Sequence, residues 1–304
     1  MRAALAMLCL AQLLHCAVVA VTLAGAGAAR SQRASVQHVY IVRHGDKYSS
    51  YPHCPGKQGQ PCYDEALMGD NPPITPCGIR QARRTAAWLQ NQTASSGGIQ
   101  NIVVSPFTRT LQTALPLAVA LGKKLKVEHL LSEAMQPEGP YREFNIEAPF
   151  PTVPQLREVH SLWDTSYNSL PIATPENNTM YHQRIGEAVK SVQNQFPPSS
   201  GNLALFTHAT TAFSLAYGLC YGSSGSGGDE KLQEFVDEQD AIAPGGVIHV
   251  TISQDGGCAK VDQTLNVAEE VGCGMTDPFK CPFDWYPSWY WPHKKGKGRE
   301  LCNP

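Results

Sequence analysis

Two histidines and two arginines follow apolar runs in this chain, and their types suit phosphoryl chemistry. Residues 36–42 (VQHVYIV) empty into Arg43-His44-Gly45, residues 102–104 into Ser105-Pro106 with Arg109 close behind, and residues 203–207 (LALFT) into His208. Guanidinium forks match the oxygens of a phosphoryl group in charge and geometry, and a neutral imidazole among them can attack phosphorus. A carboxylic acid nearby would protonate the leaving oxygen and then deprotonate the attacking water. With arginines neutralising the charge, the scheme needs no metal and no cofactor.

The elements that must position these groups follow from the pattern. The first run is β-branched and aromatic, and all three read as strands. Between them, Thr75 can cap a helix with Pro76 at its first position, and Ile79, Ala82, Ala86 and Leu89 recur at helical spacing up to the break at 91–98. Pro106 opens a second helix through Thr110, Ala114, Leu117 and Leu121, ended by Gly122. Residues 176–196 and 210–219 read as two more helices, 126–128 as a short edge strand and 246–253 as a last strand. Residues 46–73 read as a long loop, 132–175 as irregular cover over a site, and GSSGSGG at 222–228 as a flexible connection. Strands alternating with helices predict an α/β fold, a three-layer α/β/α sandwich with a mainly parallel central sheet. Ligands of such sheets lie outside the carboxyl ends of the strands, where Arg43, His44, Arg109 and His208 fall.

With 304 residues, 42% hydrophobic and 16% charged, the chain can bury a sizeable core. Its 24 basic against 26 acidic side chains give a net charge of -2, which removes the broad basic field of a nucleic-acid binder. Arg2, a long apolar run and small residues at 24–29 read as a signal peptide over residues 1–29, leaving no stable membrane span in the mature form; a retained anchor helix is the competing reading. Ten cysteines less Cys9 and Cys16 leave an even set, which suits disulfides in an oxidising compartment while leaving their connectivity open. No CxxC or HxxxH pair suggests zinc. Sequons at Asn91 and Asn177 agree with a secreted or secretory-pathway protein.

RHG at 43–45, DNPPITPCGIRQA at 70–82, VVSPFTRTLQTA at 103–114, LLSEA at 130–134 and FTHAT at 206–210, in this order and spacing, resemble the histidine phosphatase (phosphoglycerate mutase-like) superfamily. The resemblance implies a phosphoglycerate mutase-like domain over residues 34–270. It makes His44 the phosphorylated nucleophile flanked by Arg43, Arg109 the arginine of the SP-x-x-R-x-x-QTA segment, and His208 the second pocket histidine. Glu133 matches the general acid of the L-x-E segment, with Glu128, Glu138 and Glu143 competing from the same stretch. Gly45 is expected to turn an amide towards the phosphate, Ser105 and Thr75 to be structural or capping, and His38, His160 and His249 to have no role. The secreted acid phosphatase and phytase branch carries RHG-x-R-x-P and a later His-Asp pair, whereas this chain reads RHGDKYSSYP and His208-Ala209. The branch with a mid-chain glutamate is therefore favoured, and within it the chain is similar to the phosphatase domains of T-cell-receptor signalling suppressors and of steroid-phosphate phosphatases. Asp46-Lys47 replaces their Glu-Arg pair, so Lys47 is either a rim cation or a solvated loop residue.

The tail at 271–304 concentrates three cysteines, three tryptophans and a basic run. It could hold a glycan or protein partner, or serve as a disulfide-tied arm. The expected activity is a secreted, metal-independent phosphatase acting on phosphomonoesters, small molecule or phosphoprotein. The alternatives are a phosphoglycerate mutase-like phosphotransferase and a catalytically weak secreted phospho-ligand or partner-binding protein.

Overall fold

The computed structural model describes residues 36–47, 71–135, 161–172, 176–222 and 242–262, together with 232, 234, 235, 237 and 265–267. Among these, strands β1 (Gln37–Arg43), β2 (Ile99–Val104), β3 (Leu125–Val127), β4 (Asn202–Thr207), β5 (Val247–Ile252) and β6 (Cys258–Val261) form one sheet in the order β3-β2-β4-β1-β5-β6. The first four run parallel, and β5 and β6 lie antiparallel beyond β1.

Alternation along the strands builds the layers. Leu203 and Leu205 join Val39, Ile41 and Val103 on the face covered by helices α3 (Asn178–Gln195) and α4 (Ala209–Tyr221). Ala204 and Phe206 join Tyr40, Val42, Ile102 and Val104 on the face covered by α1 (Pro76–Thr93) and α2 (Thr108–Leu121). Both faces of β4 are buried throughout, as a parallel strand between two helical layers must be. The expected α/β/α sandwich is thus observed.

Local chemistry sets the helix ends. Thr75 Oγ1 accepts from the Gly78 N–H at 3.0 Å to cap α1, Asn177 Oδ1 accepts from the Met180 N–H at 2.9 Å to cap α3, and Gly122 ends α2 in the left-handed region. Helix α2 starts at Thr108, two residues after Pro106. The sequence pattern does not disclose β6. Its four residues are partly exposed and include Lys260, so no apolar run marks it. The tight turn at 253–257 then allows only an antiparallel return to β5.

The parallel ladder continues past the strand ends. The His44 N–H donates to Thr207 O at 3.0 Å, that of Ser105 to Phe206 O at 3.0 Å and that of Glu128 to Val104 O at 2.8 Å. Three loops therefore leave one rim of the sheet with their backbones already fixed. A disulfide, Cys220–Cys258, joins the last turn of α4 to β6, and Cys77 is also disulfide-bonded. The expected signal peptide and tail, the cysteines at 54, 62, 273, 281 and 302, and Glu138, Glu143 and His160 lie outside the described residues. No helix among the described residues is long and apolar enough to cross a membrane.

Candidate active site

Because β1 and β2 both flank β4, the residues that follow them meet around His208. His44 is 2% exposed and His208 fully buried, and their rings meet edge to face with centroids 5.3 Å apart. A carbonyl oxygen only accepts, so the 2.8 Å contact between His44 Nδ1 and Gly45 O places the proton on Nδ1 and leaves the Nε2 lone pair free to attack. His208 Nε2 lies 2.9 Å from Ser105 Oγ; its Nδ1 has no hydrogen bond among the described residues and faces Glu133 Oε2 at 3.4 Å.

Arg109 enters from the first turn of α2, wholly buried, with its guanidinium 4.1 Å above the Phe107 ring and Nη2 3.7 Å from Glu133 Oε2. Phe107 in turn meets the His208 ring edge-on at 4.8 Å. Arg43 is braced by donation from Nη1 to Ile242 O at 2.6 Å. Burial, and then the Arg109 charge, hold both His44 and His208 well below the ordinary imidazole range, so both are neutral at neutral pH. Lys47 is half-buried, and burial followed by repulsion from Arg109 lowers its ammonium to about 8. It is therefore a member of the cationic wall and not a solvated loop residue. The structure brings Arg43, His44, Arg109, Glu133 and His208 together, and Lys47 with them.

Glu128, the rival within the described stretch, is otherwise engaged. Its carboxylate accepts from the Leu130 N–H, Tyr167 Oη and Ser169 Oγ at 3.1, 2.7 and 2.8 Å, which anchors the loop and takes the group out of contention as the acid. Gly45 differs from expectation. Its N–H donates to Thr113 Oγ1 at 2.9 Å, and glycine is needed because a Cβ would sit 2.6 Å from Gly78 O. Next to it, the Asp46 carboxylate accepts from Thr75 Oγ1 at 2.8 Å, which ties the loop to the start of α1.

Ser105 does more than the structural part expected of it, since its hydroxyl orients His208. The signal was positional: Ser105 follows β2 as His44 follows β1 and His208 follows β4. Asn91 and Asn177 are both exposed, and the Asn177 cap uses Oδ1, leaving the amide nitrogen that a glycan would occupy outside that bond.

His44, Glu133 and His208 bring potential ligand atoms within 4.8 Å of one another, the make-up of a metal site. Their surroundings argue for an anion instead. Arg43, Arg109 and Lys47 all act on this cluster, and a divalent cation would have to enter against three positive charges. The arrangement can seat a phosphoryl group against a free imidazole nitrogen with a carboxyl group at hand.

The family model of the histidine phosphatase superfamily (branch 1) matches residues 39–224. Among solved structures, the chain is similar to the ecdysone phosphate phosphatase from Bombix mori in complex with tungstate, with a TM-score of 0.52 at 18% identity over 70% of this chain and 88% of that one. It is also similar to a mycobacterial glucosyl-3-phosphoglycerate phosphatase in complex with VO3, with a TM-score of 0.44 at 15% identity over 70% of this chain and 92% of that one. The protein histidine phosphatase SixA complexed with tungstate gives a TM-score of 0.40 at 16% identity over 76% of this chain and 97% of that one. The first of these likenesses bears on the fold. No curated protein matches the chain.

Proposed function

The chain belongs to branch 1 of the histidine phosphatase superfamily and is a phosphoric monoester hydrolase, and on that premise we propose that it is a secreted, metal-independent phosphatase working through phospho-His44. Arg43, Arg109 and Lys47 hold the phosphoryl oxygens of the substrate. His44 Nε2 attacks phosphorus as the ester P–O bond breaks, and Glu133 in its acid form gives its proton to the departing oxygen. The Glu133 carboxylate then takes a proton from water, whose oxygen attacks phosphorus; the P–N bond breaks, releasing phosphate and neutral His44. His208, oriented by Ser105, donates a hydrogen bond to the transferring group.

One observation carries this reading: the His44 ring is held by the Gly45 carbonyl with Nε2 free, inside a wall of three cations. Secretion is supported by the signal-like sequence at 1–29 and by the Cys220–Cys258 disulfide. Asn91 and Asn177 are the proposed glycan carriers, and the tail beyond residue 270 the proposed contact for a glycan or protein partner.

The test is phosphate release from an aryl phosphate in the presence of a chelator, with wild type and His44→Ala side by side. Release by wild type alone, together with an acid-labile, base-stable phosphoenzyme, is expected. Activity that dies with the chelator would overturn metal independence, and equal turnover by His44→Ala would overturn the covalent route. A phosphoglycerate isomerised without free phosphate would instead favour the phosphotransferase reading.

A further inference from the structure

One buried ion pair takes no part in that mechanism. Arg184 is 5% exposed and lies on the core-facing stripe of α3 with Tyr181, Ile185, Ala188 and Val192. Its Nε donates to Glu176 Oε2 at 2.8 Å and Nη2 to Oε1 at 2.5 Å. The rest of the fork reaches backbone carbonyls, Nη1 to Leu130 O at 2.8 Å and to Ser132 O at 3.0 Å, and Nη2 to Glu133 O at 3.0 Å. All five guanidinium protons are thereby used. Glu176 completes the clamp, since its Oε1 accepts from the Met135 N–H at 2.8 Å and its own N–H donates to Met135 O at 2.8 Å. Thr207 Oγ1 and Thr211 Oγ1 donate to Leu131 O at 2.6 Å and Ser132 O at 2.9 Å.

Residues 132–135 have no helix or strand of their own, yet nearly every carbonyl around Glu133 is held. The Glu133 carboxyl itself is weakly held, with one 3.3 Å bond from the Ala134 N–H and contacts of 3.4 and 3.7 Å to His208 and Arg109. Its placement therefore comes from its backbone. Stability alone does not account for the ion pair, because apolar side chains in place of a buried pair are often neutral or stabilising. Directed bonds to successive carbonyls supply orientation, and catalytic groups lose rate steeply when displaced by about 1 Å.

We propose that Arg184, clamped by Glu176, is the positioning residue for the Glu133 acid, holding the 130–133 backbone so that the carboxyl group meets the leaving oxygen. The proposal rests on Glu133 being the acid, and the two are separable by leaving-group dependence. Kinetics of the full chain are measured on an alkyl phosphate, which needs the proton, and on an aryl phosphate with an acidic phenol, which does not.

Glu133→Gln should lose at least about a hundredfold in kcat/KM on the alkyl ester and under tenfold on the aryl ester, because kcat/KM reports formation of phospho-His44 and excludes the later water step that Glu133 also serves; equal losses in kcat/KM would refute Glu133 as the acid. Given that result, Arg184→Lys should lose about tenfold in kcat/KM on the alkyl ester and under twofold on the aryl ester, and should add nothing to the alkyl kcat/KM loss in the Glu133→Gln background. Equal losses on both esters, or none, would overturn the positioning role while leaving the acid in place. Should Arg184→Lys fail to fold, Thr211→Val decides, because it withdraws one donor from Ser132 O. A two- to threefold loss in kcat/KM confined to the alkyl ester supports the proposal, and an unselective loss in kcat/KM or none overturns it.

Discussion

Two pairs of histidines stand at opposite ends of β1, about 20 Å apart along the strand, and only one has the surroundings of a reaction centre. His44 and His208 have ring centroids 5.3 Å apart, and His38 and His249 5.1 Å. Each pair has a carboxylate beside it. At the His38 end the hydrogen bonds close on themselves, with His38 Nδ1 3.0 Å from His249 Nε2 and His249 Nδ1 2.7 Å from Asp262 Oδ2. Asp262 is taken up by Lys260 as well, and Tyr40 stacks on the His249 ring at 4.6 Å. At the His44 end the carboxylate stands off at 3.4 Å and three cations set the field. Two imidazoles and an acid do not by themselves make a phosphoryl site; a free ring nitrogen inside a cationic wall does.

The largest expected effect sets the two ends against each other. His44→Ala should lower kcat by at least about a thousandfold, because the covalent route disappears, whereas His38→Ala should change it by less than about twofold. Side-by-side turnover on one aryl phosphate measures both, and a comparable loss at His38 would break the distinction. Next in size, Arg109→Ala should cost on the order of a hundredfold or more in kcat/KM, the scale for a preorganised charge at the reacting group. Arg109→Lys should recover only part of it, since a point charge cannot reproduce the planar fork stacked on Phe107.

Much of the His44 end was legible because its parts are strand-terminal. An apolar run that stops at Arg43-His44 or at His208 announces both the strand and the rim it delivers to, and β4 buried on both faces reads as a continuous apolar run. Ser105 stood in the same position but carried a residue type as common in caps as in sites. Arg184 left a fainter mark, a charge within the core stripe of α3, and its target, the carbonyls of 130–133, has no side-chain signature. Gly45 was legible as a glycine with a purpose, but the close approach to Gly78 belongs to a contact 33 residues away. The His38 pair was invisible as a pair, because the β1–β5 register that sets Tyr40 opposite His249 depends on an antiparallel strand whose direction the pattern did not disclose.

Lys47 gives a middle-sized effect that sharpens the contrast in cations. Its ammonium, lowered to about 8 chiefly by burial, is charged below that pH and neutral above it. If it holds phosphoryl oxygens, kcat/KM of the free enzyme should fall about tenfold as pH rises through about 8. Lys47→Arg should move that alkaline limb upward, and Lys47→Met should remove it with a raised KM at all pH values. An unchanged limb in Lys47→Met would assign the titration to another group. No such limb can arise from the His38 end, which has no contact with substrate in this scheme.

The smallest effect concerns folding, where the two ends should behave alike. Burial holds His38 and His249 below the ordinary imidazole range, as it holds His44 and His208. An unfolded imidazole takes up a proton near pH 6.5 while the folded one does not. Below that pH the unfolded chain binds more protons, and stability falls as the pH drops. Asp262 does not disturb this window, because Lys260 and His249 keep its carboxyl below its ordinary range against the opposing effect of burial, so it stays ionised between pH 5 and 7. His249→Phe keeps a ring against Tyr40 and removes one titrating group, so its thermal midpoint should fall less than that of wild type between pH 7 and pH 5, by on the order of 2 °C. His44→Asn should show the same flattening, and the two should add, given their separation. Only His44→Asn should lose turnover. A flattening at His44 alone would mean that the His249 relay gains its proton within the folded protein, with the charge shared to Asp262, and would make that end a proton store rather than a neutral clasp.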